Sequence, residues 1–129
     1  MTDERGGAFS GGDDKISLIR RFLEEKKAED LVVLNLKRLS SVTDTLVIAG
    51  GSSDRQVQAI SEHLAQEMKK LGYHLLGNEG LQGGRWALLD YGDVIVHVFY
   101  NELRRHYDLE GLWRDAPVIV DQRREEVRP

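Results

Sequence analysis

The run from Trp86 to Trp113, WALLDYGDVIVHVFYNELRRHYDLEGLW, constrains the fold most: within 28 residues it holds two strand-like segments, a tight turn and an aromatic-rich helix. The pair Tyr91-Gly92 separates Arg85–Asp90 from the segment that follows, and Gly readily takes the positive φ that two-residue hairpin turns need. The two segments are therefore expected as antiparallel neighbours. Asn101 can cap a short helix over Glu102–Tyr107. The polar groups of this run match no familiar catalytic constellation, which turns attention to binding.

Upstream, Ile16, Ile19 and Leu23 form one apolar stripe, predicting an amphipathic helix from Asp14 to about Asp30. LVVLNL (Leu31–Leu36) and LVIA (Leu46–Ala49) are apolar on both faces and read as buried strands. Ser53 stands three residues before Gln56, the spacing of a capping box, so a helix begins there. Val57, Ile60, Leu64, Met68 and Leu71 continue it at steps of three and four, and Gly72 is a good C-terminal stop. Tyr73–Leu76 reads as a short strand. The order α-β-β-α-β-β-β-α gives an α/β fold, a mixed sheet of about five strands with flanking helices. One domain is expected over 14–118, with a disordered Gly- and Ser-rich extension at 1–13 and a charged tail at 119–129.

Composition narrows the function classes. The chain has 129 residues, 40% hydrophobic content and a net charge of −4. An acidic balance disfavours holding nucleic acid through phosphate neutralisation, which needs a dominant basic surface. The absence of Cys removes disulfides, thiolate nucleophiles and zinc–thiolate sites. With no apolar signal core and no run of the roughly 18 apolar residues needed to span a bilayer, a soluble cytoplasmic protein with no membrane partner is expected.

Each candidate for chemistry has a structural rival. Gly50-Gly51-Ser52-Ser53 lies at a strand-to-helix turn, where amides and the helix dipole can hold phosphate, and it resembles the Gly-Ser turn of nucleotidyltransferases. Those enzymes require an acidic pair for their metals, and Asp54 stands alone, so helix capping is the stronger reading. Asp90 and Asp93 flank the hairpin turn, where Asp is common for its bonds to nearby amides. His97 alternates with Ile95 and Phe99 on one strand face, the setting of a hydrogen-bonded structural or interface residue. His63, His74 and His106 lack metal-ligand spacing. No cofactor or metal is expected. By contrast, Trp86, Tyr91, Phe99, Tyr100, Tyr107 and Trp113 are six of nine aromatic residues, gathered in the last third beside Arg104 and Arg105. Trp, Tyr and Arg are the residue types that anchor protein interfaces.

The segments TDTLVIAGGSSDRQVQAI, Glu79-Gly80, WALLDYGDVIVHVF and RRHYDLEGLWRDAP, in this order and spacing, resemble the ribosomal silencing factor family, also called RsfS, YbeB or Iojap. The resemblance covers about 14–118. It implies a non-enzymatic factor with a nucleotidyltransferase-like fold that has lost the catalytic acids. It further implies binding to ribosomal protein L fourteen on the large ribosomal subunit, a steric block to joining of the small subunit, and repressed translation when nutrients are limiting. Carried onto this chain, the partner surface falls on Trp86, on the turn residues Asp90 and Tyr91, and on Tyr107, Leu109, Glu110, Leu112 and Trp113. Arg104 and Arg105 are placed beside them to set register through charge-assisted bonds. The chain departs from the family pattern at Thr45-Leu46 and Gly50-Gly51, which weakens a phosphate site and leaves the partner surface untouched. A metal-dependent nucleotidyltransferase is the alternative, and a homodimer through a sheet edge or the aromatic face is compatible with either.

Overall fold

The computed structural model describes residues 11–80, 85–103 and 116–122. Its elements are α1 (Gly11–Glu25), β1 (Glu29–Asn35), β2 (Thr45–Gly51), α2 (Asp54–Lys70), β3 (Gly77–Glu79), β4 (Trp86–Asp90), β5 (Val94–Tyr100) and β6 (Val118–Asp121). The chain is also helical at 101–103. The sheet has six strands in the order β3-β4-β5-β2-β1-β6, one more than the sequence suggested. All neighbours are antiparallel except β2 and β5, which run parallel at the centre.

The central pairing explains the apolar sequence of β2, whose residues are all buried because both of its faces are covered. On one face α1 and α2 pack Ile19, Phe22, Leu23, Val57, Ile60, Leu64 and Met68 against Val33, Val47, Ala49, Ala87, Leu89, Val96 and Val98 of the sheet. The other face holds a smaller cluster of Val32, Leu34, Leu36, Leu46, Ile48, Phe99 and Ala116, with Trp86, Ile95 and Leu103 half-buried against it. Strand β4 alternates between these environments, buried toward the helices and half-buried away from them, and β5 does the same through Val98, after which Phe99 is buried on the far face and Tyr100 half-buried on the helix side.

Both helices end alike. After α2, Gly72 has φ +93°, its N–H donates to the Lys69 carbonyl, and the Tyr73 N–H donates to the Met68 carbonyl. These are the paired bonds of a Schellman motif. After α1 the same bonds run from Lys27 to Glu24 and from Ala28 to Leu23, but the left-handed position, φ +61°, is filled by Lys27 instead of Gly. That stop places the end of α1 at Glu25 and the start of β1 at Glu29, so the helix is shorter than its polar C-terminal stretch suggested.

Four further expectations shift. Leu71 lies outside the core at 52% exposure, because the chain has already turned away at the C-cap. The edge strand is Gly77–Glu79 and not Tyr73–Leu76: pairing of Asn78 with Leu89 and Glu79 with Leu88 outweighs the poor β-propensity of Gly-Asn-Glu. The hairpin turn is one residue later than read, centred on Gly92-Asp93, since the Tyr91 N–H donates to the Val94 carbonyl and Gly92 takes φ +91°. Strand β6 also carries the sheet past the boundary placed at 118, pairing Val32 with Asp121 and Val33 with Val120.

Candidate docking face of the sheet

Period-two alternation puts Trp86, Leu88 and Asp90 of β4 and Ile95, His97 and Phe99 of β5 on the face away from the helices. Leu88 lies directly opposite His97, and Trp86 opposite Phe99. Trp86 and His97 are therefore diagonal neighbours, within reach for large rings. Their ring centroids stand 5.9 Å apart at 17°, those of Trp86 and Phe99 6.0 Å apart at 20°, and those of His97 and Phe99 5.8 Å apart at 5°. The three rings form one near-parallel set.

The indole Nε1–H of Trp86 donates to His97 Nδ1 at 3.1 Å. An indole nitrogen only donates, so Nδ1 must be unprotonated and the proton of the neutral imidazole sits on Nε2. Burial pushes the His97 pKa down from 6.5 to about 4, which keeps the ring neutral and the bond intact near neutral pH.

Two backbone features fix the strand that carries Trp86. The Tyr100 N–H donates to the Arg85 carbonyl at 2.8 Å, tying the residue before Trp86 to the end of β5. Gly80, of the Glu79-Gly80 pair, has φ +76°, and a Cβ there would fall 1.9 Å from the Trp86 carbonyl oxygen. Only Gly permits that approach. Sequence reading used the pair as a family mark without this reason.

At the turn, Asp90 Oδ1 accepts from the Gly92 N–H at 2.8 Å, and Asp93 Oδ1 meets Lys15 Nζ at 2.6 Å. The Asp93 carbonyl also accepts the N–H groups of Asp44 and Thr45. The Asp90 carboxylate thus braces the turn itself, the Asp93 carboxylate joins it to α1, and the Asp93 backbone carbonyl joins it to the β1–β2 loop. Asp90 keeps its place on the Trp86 face. Tyr91 does not: it is 5% exposed, packs in the helix-side core, and burial pushes its phenol up to about 12. The expected partner residues Arg104, Arg105, Tyr107, Leu109, Glu110, Leu112 and Trp113 lie outside the described residues. The segment leading to them begins on the same face of the sheet as Trp86, where Leu103 packs against the second cluster.

The strand-to-helix turn at 50–54 is occupied by capping. Ser53 accepts from the Gln56 N–H at 3.0 Å, Gln56 Oε1 accepts from both the N–H and the hydroxyl of Ser52, and Asp54 pairs with Arg85 at 3.6 Å. The Gln56 amide also donates to the carbonyls of Lys26 and Lys27, linking α2 to the end of α1. His63 pairs with Glu25 at 2.8 Å, and the bond holds that carboxylate below its usual range. Among the described residues no three His, Asp or Glu side chains converge as a metal site.

Fold and face together define a small mixed α/β protein that gathers Trp86, His97 and Phe99 on one face of its sheet. The architecture is shared with a crystal structure of a protein from Chromobacterium violaceum, at a TM-score of 0.76 and 36% identity, covering 78% of this chain and 84% of that one. The family model described as "ribosomal silencing factor during starvation" matches residues 12–129, and the chain belongs to that family. It is 43% identical to the ribosomal silencing factor RsfS of Halalkalibacterium halodurans over 97 residues, 75% of this chain and 83% of that one. It is 42% identical to the RsfS of Bacillus subtilis over 95 residues, 74% and 80% of the two chains.

Proposed function

We propose that this chain binds the large ribosomal subunit through ribosomal protein L fourteen, with the β4–β5 face against it, and sterically stops the small subunit from joining. Translation is lowered in this way when nutrients are scarce, in the cytoplasm and without catalysis. One observation carries the reading: a chain of the silencing family keeps a half-buried Trp, near-parallel and hydrogen-bonded to a neighbouring His, on the sheet face opposite α1 and α2. Trp in such a setting offers large, rigid contact area at low entropic cost. Arg104, Arg105, Tyr107, Leu109, Glu110, Leu112 and Trp113 belong to the same proposal through the resemblance, and Leu103 on this face supports their inclusion. Self-association belongs to it as well, since β3 and β6 end the sheet and a second copy can add to either end strand.

Mixing purified small and large subunits with increasing amounts of the protein, and following their joining by light scattering, tests the mechanism. Joining should fall in proportion to the protein bound and should be restored when Trp86→Ala replaces wild type. Joining at an unchanged rate under saturating protein contradicts the steric block.

A further inference from the structure

We propose that His97 is a positioning residue: by accepting the indole N–H of Trp86 at Nδ1, it sets the orientation in which Trp86 meets its partner. The inference rests on the docking reading above and adds to it the residue that prepares the anchor.

Trp86 is half-buried at the start of β4, so packing alone confines it less than a core residue. Its ring is near-parallel to those of His97 and Phe99, at 17° and 20°, and that ring contact does not by itself select which edge of the indole faces His97. The 3.1 Å bond from Nε1–H to His97 Nδ1 makes that selection, because only one edge of the indole carries a donor. His97 is held in turn by strand pairing: it lies across from Leu88 on β4 and Ile48 on β2, with Phe99 stacked beside it. An anchor fixed before docking loses less entropy on docking. The same bond satisfies the indole donor internally, so the partner need supply no acceptor for it and can meet Trp86 through apolar and π contact.

Two variants separate the acceptor from the ring. His97→Asn returns an acceptor oxygen close to the place of Nδ1, whereas His97→Phe preserves an aromatic ring and removes the acceptor. The readouts, on the full chain, are hydrogen exchange at the Trp86 indole N–H, assigned by Trp86→Phe, and affinity for isolated large subunits by co-sedimentation. We expect His97→Phe to lose exchange protection and to weaken binding by about three- to tenfold, the share of one net hydrogen bond. His97→Asn should restore both. Wild-type behaviour of His97→Phe, or an Asn variant as impaired as the Phe variant, overturns the role. If His97→Phe does not fold, the wild-type indole decides, since exchange as fast as that of free indole rules out the bond. Trp86→Ala separates this role from the reading beneath it. Undiminished binding of that variant overturns the docking face and the role together, whereas lost binding beside an unaffected His97→Phe overturns the role alone.

Discussion

His97 shows how one residue links stability to the site. Its pKa falls from 6.5 to about 4 in the fold, so between those values the unfolded chain binds a proton that the native state resists. The stability it protects is fully present above about pH 6.5 and is lost as pH falls toward 4; the shift corresponds to at most about 3 kcal/mol. Urea unfolding across this window should give a shallower slope for His97→Phe than for wild type, and equal slopes would remove the buried neutral ring from the account. Lys27 makes a second case, occupying a left-handed position where Gly has no Cβ penalty. Lys27→Gly should raise stability by about 0.5–1 kcal/mol, because the carbonyl that accepts from Gln56 is retained. A destabilised variant would show that the Lys side chain contributes more than its backbone strain costs. At this scale the Ser53 cap was legible in the sequence, and Trp86 and Asp90, both expected at the partner surface, share one face of the sheet. The sequence could not separate Tyr91 from Trp86: both are aromatic and near the turn, and only the parity of the strand puts Tyr91 among the helices.

At the scale of elements, legibility followed how local the determinants were. Helix α2 carries its own start, stripe and stop in Ser53, Val57 to Leu71 and Gly72, and the structure places them as read except for Leu71, which is exposed at the C-cap. The β4–β5 hairpin was equally visible, although its turn settles on Gly92-Asp93 once Tyr91 is drawn into the core. Strand β3 was not legible as placed, because Gly-Asn-Glu acquires its conformation from β4 against its propensity. Strand β6 has the β-propensity of Val-Ile-Val, but its four residues stand next to a charged tail and their pairing partner β1 lies far away in sequence. The capping network at the start of α2 gives a direct test. Ser53→Ala removes the acceptor for the Gln56 N–H and should cost about 1 kcal/mol in thermal or urea unfolding. A loss well below that would mean that neighbouring groups take over the cap. The close approach at Gly80 tests the support of the docking face: with a Cβ 1.9 Å from the Trp86 carbonyl, Gly80→Ala must displace β4 or the loop before it. Both stability and large-subunit affinity should fall, and an unchanged pair of values would contradict the rigidity assigned to this edge.

Over the whole molecule, the asymmetry of the sheet joins fold to function. Two helices seal one face, and burial in the described part of the other is strongest over β1, β2 and Phe99, leaving Trp86, Leu88, Ile95 and His97 half-buried. Strand β6 contributes to this arrangement by closing the far edge beside β1 and by bringing Gln122 to the Leu31 N–H. Truncation after Pro117 should therefore be less stable than truncation after Gln122 by several kcal/mol, since it exposes the β1 edge and the apolar residues there. Equal stability of the two would restore the boundary at 118. The central claim is that Trp86, half-buried on this face, anchors the large ribosomal subunit. It is tested most directly by the affinity of wild type and Trp86→Ala for isolated large subunits, with folding of both checked by circular dichroism. We predict a loss of about 2 kcal/mol or more, roughly thirtyfold, in the folded variant, the size expected of a buried aromatic anchor. Equal affinity of the two folded proteins would contradict it.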